Sequence, residues 1–488
     1  MKIAFVASEA VPFAKTGGLG DVAGSLPKAL EKLGCEVKLF VPKYLQIDET
    51  KNNLHYNWDI GEIPISIAGQ VRSVHLQQAL LPDSNVQVYF LDCPHYYHRD
   101  HFYTNHPDED ERFILLCKGV IESLQRLKWI PNVIHCNDWQ TGLLPIYIKD
   151  NYSWDKIFNH TATLFTIHNI GYQGRFSADA LLKAGIRDDY FLDNGPVEID
   201  KTFCFMKAGI SFSDIINTVS KTYAQEILSP EYGAGMNLVL NSRKEDLYGI
   251  INGVDYDLWN PEIDAFIPFR YSMHHLGGKL ENKKFLLEHV KLPFNEKLPV
   301  IGIISRMVAQ KGFDIFADAI DELIKLSAQW VILGSGEDKY ETLFHTLAQS
   351  FPERVFAYTG YNNELSHLIE AASDMLLMPS HYEPCGLSQI YGLKYGTVPI
   401  VRKTGGLADT VQDWNEYLRS GKETGTGFSF EDYSGSSLFA AVKRAIAAFN
   451  NKETWKKIQI NGMGKSYSWE SSAKEYIKLY EMAIAKRA

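Results

Sequence analysis

Short runs of apolar residues alternate along the chain with longer segments whose apolar residues recur every three or four positions. Short apolar runs bounded by turn residues are typical of buried strands, whereas the longer spacing is typical of amphipathic helices. Residues 3–7 form the first such run, and helical spacing follows at 22–33. The strands predicted in this way are 3–7, 36–41, 86–91, 133–136, 163–167 and 215–219, followed by 300–304, 330–333, 355–358, 375–378 and 398–401.

This alternation predicts an α/β fold in which parallel sheets are covered by helices on both faces. The pattern occurs twice, and 488 residues exceed what one hydrophobic core usually supports. Turn residues cluster between the two sets, in the segment 250–261. We therefore predict two doubly wound, Rossmann-like domains, 1–254 and 255–470, that face each other across a deep ligand-binding cleft. The last helix, 471–488, is expected to cross back onto the first domain.

Composition and charge narrow the class of protein. The hydrophobic share of 45% and charged share of 22% are ordinary for a globular protein. The net charge of −10 argues against nucleic acid or an anionic membrane as the main partner. No apolar run approaches the roughly 18 residues of a membrane span, and Glu9 interrupts the first run, so neither a membrane anchor nor a signal peptide is expected.

The six cysteines indicate a reducing compartment. They form no C-x-x-C pair and lie mostly in apolar segments, so they are interpreted as buried, reduced thiols of a cytoplasmic protein. They are Cys35, Cys93, Cys117, Cys136, Cys204 and Cys385.

The segment KTGGLGD, residues 15–21, connects the first predicted strand to the first helix. Its glycines permit close approach of a ligand to the backbone, Lys15 supplies a positive charge, and a helix N-terminus favours anions. The structural alternative is a glycine-rich turn with a solvated lysine. Residues 18–23 also fit a dinucleotide-binding pattern, but that pattern expects an acidic residue after the second strand. Pro42 and Lys43 stand there instead, which weakens an NAD-binding interpretation.

Loops that follow the strands of the second half carry cations and glycines. Arg306 and Lys311 share one glycine-closed loop, and two cations at this spacing can clamp a diphosphate. The loops 334–336 and 404–407 are further candidates for close approach to a ligand, and a helix predicted to begin near Ala408 favours phosphate. The alternative is a solvated basic loop.

Residues suited to sugars follow strands in both halves. A carboxylate beside an indole, as at Asp138 and Trp139, suits a sugar, because the acid accepts hydroxyl hydrogen bonds and the ring packs on the apolar sugar face. His168 follows the next strand, and Glu383 lies in a segment with Pro384 and a glycine. The structural alternatives are a capping aspartate with a core tryptophan, a core histidine and a solvated glutamate.

Two further features of the sequence are candidates for binding a nucleobase and a metal ion. Tyr361 follows the strand 355–358 and is either a platform for a nucleobase or a partly buried surface tyrosine. Histidines and acids lie between His95 and Asp110, but their irregular spacing indicates a polar loop rather than a metal site.

Together these segments resemble the bacterial glycogen synthases and plant starch synthases, which are retaining glycosyltransferases of GT-B architecture. The likeness covers essentially the full length, and its motifs occur in the same order. They are KTGGLGD at 15–21, NDWQTG at 137–142, TIHNIGYQG at 166–174, INGVDYDLWNP at 251–261, SRMVAQKG at 305–312, HYEPCGLSQIYGLKYGTVP at 381–399 and TGGLADTV at 404–411.

The resemblance implies transfer of glucose from ADP-glucose to the non-reducing 4-OH of an α-1,4-glucan, with retained configuration, in glycogen biosynthesis. It implies no metal or other cofactor, and a UDP-glucose donor is the alternative. The implied catalytic residues are His168, Glu383, Arg306 and Lys311, and the implied substrate-binding residues are Lys15, Gly18, Asp21, Tyr97, Asp138, Trp139, Asn169, Asn252, Tyr361, Cys385, Gly386, Leu387, Thr404, Gly405 and Gly406.

Individual roles follow by analogy. The two cations of the second half, with Lys15, hold the leaving diphosphate, and Tyr361 stacks on adenine. Glu383 and the N–H groups of Gly386 and Leu387 hold glucose hydroxyls. Asp138 and His168 contact the transferred sugar, and Asn169 supports these two residues. Tyr97 belongs to the sugar site, and Asp21 lies beside the donor.

One departure from related transferases concerns the pattern E-x7-E. Eight positions after Glu383 the chain has Tyr391, which agrees with synthases of this type and leaves ribose recognition unassigned. Other classes of protein remain open on the residues alone. A glycoside hydrolase would pair Asp138 with Glu383 but would leave Arg306 and Lys311 without a role. A dehydrogenase and a non-catalytic glucan-binding protein are further alternatives.

Overall fold

The computed structural model describes residues 1–487 and divides the chain into two compact units. The first unit consists of Met1–Gly253 together with the C-terminal helix, and the second is Val254–Ser468. Each unit is organised around its own sheet, of ten strands in the first and six in the second.

The sheet of the first unit contains all six strands predicted for that half of the chain. Its parallel part has the order β13-β12-β8-β7-β1-β2-β6, and the edge continues with β5 and β3. The strands of this unit are β1 Lys2–Val6, β2 Glu36–Pro42, β3 His55–Tyr56, β4 Ile63–Ile67, β5 Gln70–Leu80, β6 Gln87–Asp92, β7 Val133–Asn137, β8 Ala162–Ile167, β9 Arg175–Phe176, β10 Glu198–Ile199, β11 Thr202–Cys204, β12 Ile215–Thr218 and β13 Leu247–Gly249.

The expectation of purely parallel pairing is incomplete for this unit. Strand β5 runs antiparallel to β6, and both β3 and β4 pair antiparallel with β5. Residues of β4 alternate between buried and exposed, as expected for a strand with one face on the core. Ala68 and Gly69, both at positive φ, form the tight turn between β4 and β5. A separate small sheet is formed by β9, β10 and β11.

The first helix of this unit begins earlier than its apolar spacing predicts. Gly17 is extended and acts as the N-cap, so the helix starts at Gly18 rather than at Val22. The glycines at its start thus form the first helical turn. The helices before the second unit are α1 Gly18–Lys32, α2 Pro94–Tyr97, α3 Glu109–Arg126, α4 Leu144–Ile146, α5 Asp179–Ala184, α6 Phe205–Phe212, α7 Lys221–Glu226 and α8 Asn237–Ser242.

The sheet of the second unit is parallel throughout, in the order β16-β15-β14-β17-β18-β19. All five strands predicted for this half exist, and only the short edge strand β19 was not predicted. The strands are β14 Val300–Ile304, β15 Gln329–Gly334, β16 Val355–Thr359, β17 Met375–Met378, β18 Val398–Arg402 and β19 Phe428–Phe430.

Helices cover both faces of this second sheet, and the largest core cluster lies between the sheet and the helices around Phe313, Phe344 and Leu438. The helix expected near Ala408 begins at Gly405, because Thr404 is extended and serves as its N-cap. The helices of this unit are α9 Gly277–His289, α10 Phe313–Asp318, α11 Ile320–Leu323, α12 Asp338–Ser350, α13 Asn363–Ala372, α14 Ser388–Tyr395, α15 Gly405–Thr410, α16 Trp414–Arg419, α17 Gly435–Phe449 and α18 Lys452–Met463.

The last helix, α19 Trp469–Arg487, packs on the sheet of the first unit. The hydroxyl of Tyr480 lies 2.8 Å from Nδ1 of His135 on β7, and both side chains are fully buried. The hydroxyl of Tyr476 accepts a hydrogen bond of 3.2 Å from the amide of Asn217 on β12. Helix α19 therefore completes the core of a unit whose other residues precede it by more than two hundred positions.

Candidate active site

The carboxyl ends of β7 and β8 bring a carboxylate and a histidine together. Oδ1 of Asp138 accepts hydrogen bonds from the backbone N–H groups of His168, at 2.8 Å, and Asn169, at 3.5 Å. Burial raises the pKa of Asp138 to about 7, and these two hydrogen bonds oppose the rise. Asp138 also has φ of +57°, a conformation that costs energy for a residue other than glycine and that clusters at functional sites.

The imidazole of His168 is neutral. Burial lowers its pKa to about 3. Its Nε2 lies 3.0 Å from Oδ1 of Asn137, whose amide nitrogen is used in a bond to the carbonyl of Val6. Nε2 therefore carries the ring proton and donates a hydrogen bond to Oδ1 of Asn137. A histidine in this state supplies hydrogen-bonding groups but does not act as a proton donor at neutral pH.

Hydrogen bonds to the side chain of Glu9 hold the glycine-rich loop before α1 in place. The buried carboxylate of Glu9 accepts hydrogen bonds from the backbone and hydroxyl groups of Thr16 and from the backbone N–H of Gly17, at 3.4 Å. Burial raises the pKa of Glu9, and the bonds to the loop oppose that shift. At the exposed end of the loop, Lys15 pairs with Asp21 at 2.7 Å. The role of Glu9 was missed from the sequence, where it registered only as a polar interruption of an apolar run.

Gly18 occupies the exposed first position of α1. A Cβ built on Gly18 would meet no atom of the described residues within 4 Å. The absence of a side chain therefore leaves open space next to the first N–H groups of the helix, as close approach of a ligand requires.

The second unit buries Glu383 beside a cation. Nζ of Lys311 lies 2.7 and 2.9 Å from the two carboxylate oxygens of Glu383, and the hydroxyl of Ser380 donates to the same carboxylate at 2.9 Å. Only 5% of Glu383 is exposed, so the interpretation as a solvated surface glutamate is wrong. Arg306, on the loop that leads to Lys311, is exposed.

Gly405 and Gly406 serve the internal packing of this unit. A Cβ on Gly405 would stand 1.9 Å from the carbonyl oxygen of Glu383, and one on Gly406 would stand 2.0 Å from that of Cys385. The N–H of Gly406 donates to the carbonyl of Glu383 at 3.0 Å. The start of α15 thus packs directly on the segment that carries Glu383, with Thr404 and Cys385 buried and Gly386 and Leu387 partly exposed.

Gly334 and Gly336 have a similar structural cause. Their Cβ positions would meet the carbonyl oxygens of Ser305 and Met307 at 1.9 and 2.2 Å. These glycines let the end of β15 pack against the loop that carries Arg306. Approach of a ligand is not needed to explain them.

Three other residues implied by the resemblance occupy different environments. Tyr361 follows β16 and is 80% exposed, with its hydroxyl donating to Asn363 at 3.3 Å. Asn252 is buried, and its Oδ1 has no hydrogen-bond partner among the described residues. Tyr97 lies in the core and donates its hydroxyl to the carbonyl of Arg112 at 2.8 Å. Because Tyr97 is fully buried, a sugar contact by that hydroxyl would require the surrounding side chains to move.

A cavity of about 460 Å³ lies beside Trp139 in the first unit. It is within the size range of small-ligand sites. The indole packs edge-on against Phe113 at 4.8 Å, and a Cβ on Gly174 would stand 2.2 Å from it. The cavity is lined by Trp139, Gly171, Tyr172, Gln173, Gly174, Arg175 and Ala234.

Arg175 adds a charged group to this cavity and Tyr172 adds a second aromatic ring beside Trp139. Neither Arg175 nor Tyr172 was predicted from the sequence as a site residue. Nε of Arg175 donates to the side chain of Gln173 at 2.6 Å, and Nη1 donates to Asp200 at 2.8 Å, so the guanidinium is fixed in place. Tyr172 is 54% exposed.

The polar segment between His95 and Asp110 is used in ion pairs. Arg99 pairs with Asp108, Arg112 with Glu109 at 2.8 Å, and Lys183 with Asp110 at 3.0 Å. Among residues 1–487 there is no group of three or more side chains suited to hold a metal ion. No helix in the same range is long and apolar enough to cross a membrane.

Comparisons with known proteins agree over the whole chain. The family described as starch synthase catalytic domain matches residues 2–242, and the family described as glycosyl transferases group 1 matches residues 285–461. Glycogen synthases from Thermosipho melanesiensis and Thermotoga maritima are 43% and 42% identical, covering all of this chain and 100% and 99% of their own lengths.

Solved structures give the same result. The catalytic domain of starch synthase IV from Arabidopsis thaliana, bound to ADP and acarbose, matches with a TM-score of 0.91 and 32% identity over 99% of both chains. Sucrose-phosphate synthase from Thermosynechococcus elongatus matches with a TM-score of 0.61 and 17% identity over 99% of both chains, and shares the fold.

Two Rossmann-like units of this kind, with these two family matches, define a glycosyltransferase of GT-B type. Within that class, the chain belongs to the glycogen synthase and starch synthase family. The resemblance stated from the motifs is thereby confirmed. The comparisons do not favour the dehydrogenase, glycoside hydrolase or non-catalytic interpretations.

Proposed function

We propose that the protein transfers glucose from ADP-glucose to the non-reducing 4-OH of an α-1,4-glucan, with retained configuration, as the glycogen-forming enzyme of a bacterial cytoplasm. The observation that carries this proposal is the ion pair between Lys311 and the buried Glu383, in a chain of this family whose Arg306 lies on the loop that leads to Lys311. A fixed cation and an exposed arginine on one loop suit a leaving diphosphate. The starch synthase IV structure, which contains ADP and acarbose, supports a nucleotide and a glucan as ligands.

The donor half of the reaction needs stabilisation of the charge that develops on the departing diphosphate. Lys311 is held in position by the carboxylate of Glu383, which also accepts a hydrogen bond from Ser380, so the cation does not have to reorganise during the reaction. Arg306, exposed on the loop that leads to Lys311, supplies a second cation. Tyr361, because its ring is largely exposed, is available to stack on adenine.

A front-face displacement, in which the acceptor attacks from the side of the leaving group, needs no strong protein base and fits the protonation state of His168 and the hydrogen bonds of Asp138. Neutral His168, already donating from Nε2, is not a strong base, and Asp138 is held by two backbone N–H groups. We infer that a departing phosphate oxygen accepts the proton of the acceptor hydroxyl, while Asp138 and His168 position the glucosyl unit. A covalent glucosyl-enzyme on Asp138 or Glu383, detected by mass spectrometry, would contradict this mechanism.

The cavity beside Trp139 is proposed to receive the end of the acceptor. Trp139, which lines the cavity, directly follows Asp138 in the sequence. Aromatic rings pack on the faces of glucose units, and both Trp139 and Tyr172 supply such a ring. The fixed guanidinium of Arg175 can donate hydrogen bonds to glucose hydroxyls.

The function is tested by measuring nucleotide release from ADP-glucose and from UDP-glucose, with and without glycogen. We expect release that depends on glycogen and is faster with ADP-glucose. Faster release from UDP-glucose would reject the donor, and release of sugar from glycogen without any nucleotide would reject the reaction. A cytoplasmic location is inferred from the cysteines, all six of which are buried and outside any disulfide among the described residues.

Arg306 and Lys311 form the proposed diphosphate clamp, and variants of these two residues distinguish an effect on turnover from an effect on stability. Arg306→Ala changes an exposed side chain, so we expect turnover to fall at least 100-fold with little change in stability. Lys311→Met leaves the buried Glu383 carboxylate without its cation, which costs about 3 kcal/mol. The double variant with Glu383→Gln removes both charges and should recover stability but not turnover. Lys457→Ala, which breaks an exposed pair with Glu423, is the control. Normal turnover in Arg306→Ala would reject the clamp.

A further inference from the structure

An exposed aromatic pair, Tyr56 and Trp58, stands at the edge of the first unit's sheet. Trp58 is 80% exposed, and its ring centroid lies 5.4 Å from that of Tyr56, with the two ring planes inclined at 41°. An indole left in water forgoes the free energy of its burial. Both rings belong to a part of the chain that carries none of the residues proposed above for the reaction.

Hydrogen bonds hold Tyr56 and the backbone that leads to Trp58. The hydroxyl of Tyr56 donates to Oδ2 of Asp92 at 2.8 Å, and the same oxygen accepts from the amide of Gln77 at 3.2 Å. Asn57, between the two rings, donates its side-chain amide to Gln78 at 3.1 Å, and its backbone N–H donates to Leu76 at 2.8 Å. The tyrosine half of this aromatic platform therefore loses little conformational freedom when it binds a ligand.

The surroundings of the pair select a neutral, hydroxyl-bearing ligand. The groups around the rings are His55, His75, whose ring centroid lies 6.3 Å from that of Tyr56, and the partly exposed amides of Asn57 and Gln78. Two carboxylates, Asp59 and the half-exposed Glu49, make these surroundings unfavourable for an anion. These groups bind hydroxyls, and the net charge of −10 disfavours an anionic polymer. Aromatic rings pack on the apolar faces of sugars. Two rings inclined to one another suit a curved chain of sugars better than a flat base or a flat protein surface.

The sheet register shows where the pair lies relative to the proposed acceptor site. Strand β3 is antiparallel to β5, which is antiparallel to β6, so β3 runs in the same direction as β6. Trp58 therefore follows the carboxyl end of its strand, as Asp138 does. Five strand spacings of about 4.8 Å separate β3 from β7, which is about 24 Å along the sheet edge.

We propose that Tyr56 and Trp58 form a second binding site for α-glucan, distinct from the reaction site and able to hold a remote stretch of the acceptor polymer. This inference rests on the proposed function for the identity of the polymer. Holding the polymer at two points raises its effective concentration at the reaction site, whereas a short oligosaccharide gains nothing.

The full-length protein tests this through Trp58→Ala. We expect its retention in a glycogen-containing native gel to weaken about tenfold and its KM for glycogen to rise by a similar factor, while kcat and KM with maltotriose stay unchanged. Trp154→Ala is the matched control. Trp154 is also an exposed tryptophan, at 71%, stacked on a tyrosine, but it lies on the connection that enters β8 at its amino end.

Unchanged glycogen retention in Trp58→Ala would overturn the inference, as would an equal loss in Trp154→Ala. Conversion of a dimer to a monomer by Trp58→Ala, measured by sedimentation, would show that a second copy of the chain occupies the platform instead. Gel retention does not depend on turnover. If the wild-type protein released no nucleotide with any acceptor, the proposed function would fail while the retention assay still reported on this site.

Discussion

Asp138 combines two unfavourable features at one residue, a left-handed backbone and a carboxyl group removed from water. Its side chain accepts hydrogen bonds from the backbone at the end of the neighbouring strand, which fixes the connection after β7 to that after β8. Because burial raises its pKa to about 7, the folded protein holds a proton there that the unfolded chain releases near pH 4. Such a site is retained for what it binds rather than for stability.

The sign of the pH dependence follows from this shift. A carboxyl whose folded-state pKa is raised favours the fold at low pH, and that contribution is lost as pH rises from about 4 through about 7. Asp138→Asn keeps an oxygen acceptor but removes the charge. We expect urea unfolding to show that the stability of the variant relative to wild type increases by about 3 kcal/mol between pH 5 and pH 8.

Turnover of Asp138→Asn should fall at least tenfold at pH 8, where the wild-type carboxyl group is charged and is proposed to hold the transferred glucose. Asp59→Asn, the same substitution at an exposed position, is the control. If the stability difference for Asp138→Asn is the same at pH 5 and pH 8, the carboxyl does not titrate as the structure implies.

Single residues were predictable where their chemistry is local. Lys311 and Glu383 follow strands β14 and β17, as the sequence predicted, but their ion pair was not predicted and their roles in binding stay a prediction. The positive φ of Asp138 could not be predicted, because it is imposed by the neighbouring strand. The support given by Glu9 depends on a loop that folds back over it, and the burial of Tyr97 depends on α3, so neither is visible in a short stretch of sequence.

Among the elements, the start of α1 joins an exposed helix end to the glycine-rich loop. Its backbone geometry is ordinary, since Gly18 does not have a positive φ, so the structure gives no conformational reason for glycine there. Alanine is the better helix former. The remaining physical reason is space for a ligand.

Gly18→Ala therefore separates stability from activity. We expect a gain in stability of up to about 1 kcal/mol and a fall in kcat/KM for the nucleotide sugar. Gly277→Ala is a matched control, because Gly277 is also exposed, is the first residue of α9 and has no described atom within 4 Å of its Cβ position. It should gain stability without losing activity. Full activity in Gly18→Ala would show that the loop does not approach the substrate closely.

Elements buried on both faces were predicted well, because their apolar runs are uninterrupted. The hairpin of β4 and β5 was missed, although Ile63, Ile65 and Ile67 alternate with polar or exposed residues and a glycine turn follows. That signal is typical of an antiparallel edge with one solvated face. The very short strands β9, β10 and β11 carry too few residues for any periodicity to be detected.

At the scale of the whole molecule, the first unit is built from two distant parts of the chain. Helix α19 contributes fully buried side chains, among them Tyr476 and Tyr480, to a core otherwise formed by residues 1–253. Each such aromatic side chain contributes about 2 kcal/mol through burial, and their hydroxyls bind His135 and Asn217 within the sheet. The second unit, by contrast, is one continuous segment whose ends meet, since the N–H of Val254 donates to the carbonyl of Tyr467 at 2.7 Å.

The two units should therefore differ in whether they fold alone. A polypeptide of residues 254–468 should melt cooperatively by circular dichroism, whereas residues 1–253 should not, because loss of α19 uncovers the sheet and leaves His135 without its tyrosine partner. Adding a peptide of residues 469–488 should restore a cooperative transition, and the same peptide with Tyr476→Ala and Tyr480→Ala should not. Cooperative melting of residues 1–253 alone would show that α19 only covers a unit that is already stable, and its two tyrosines would then be expected to affect solubility rather than folding.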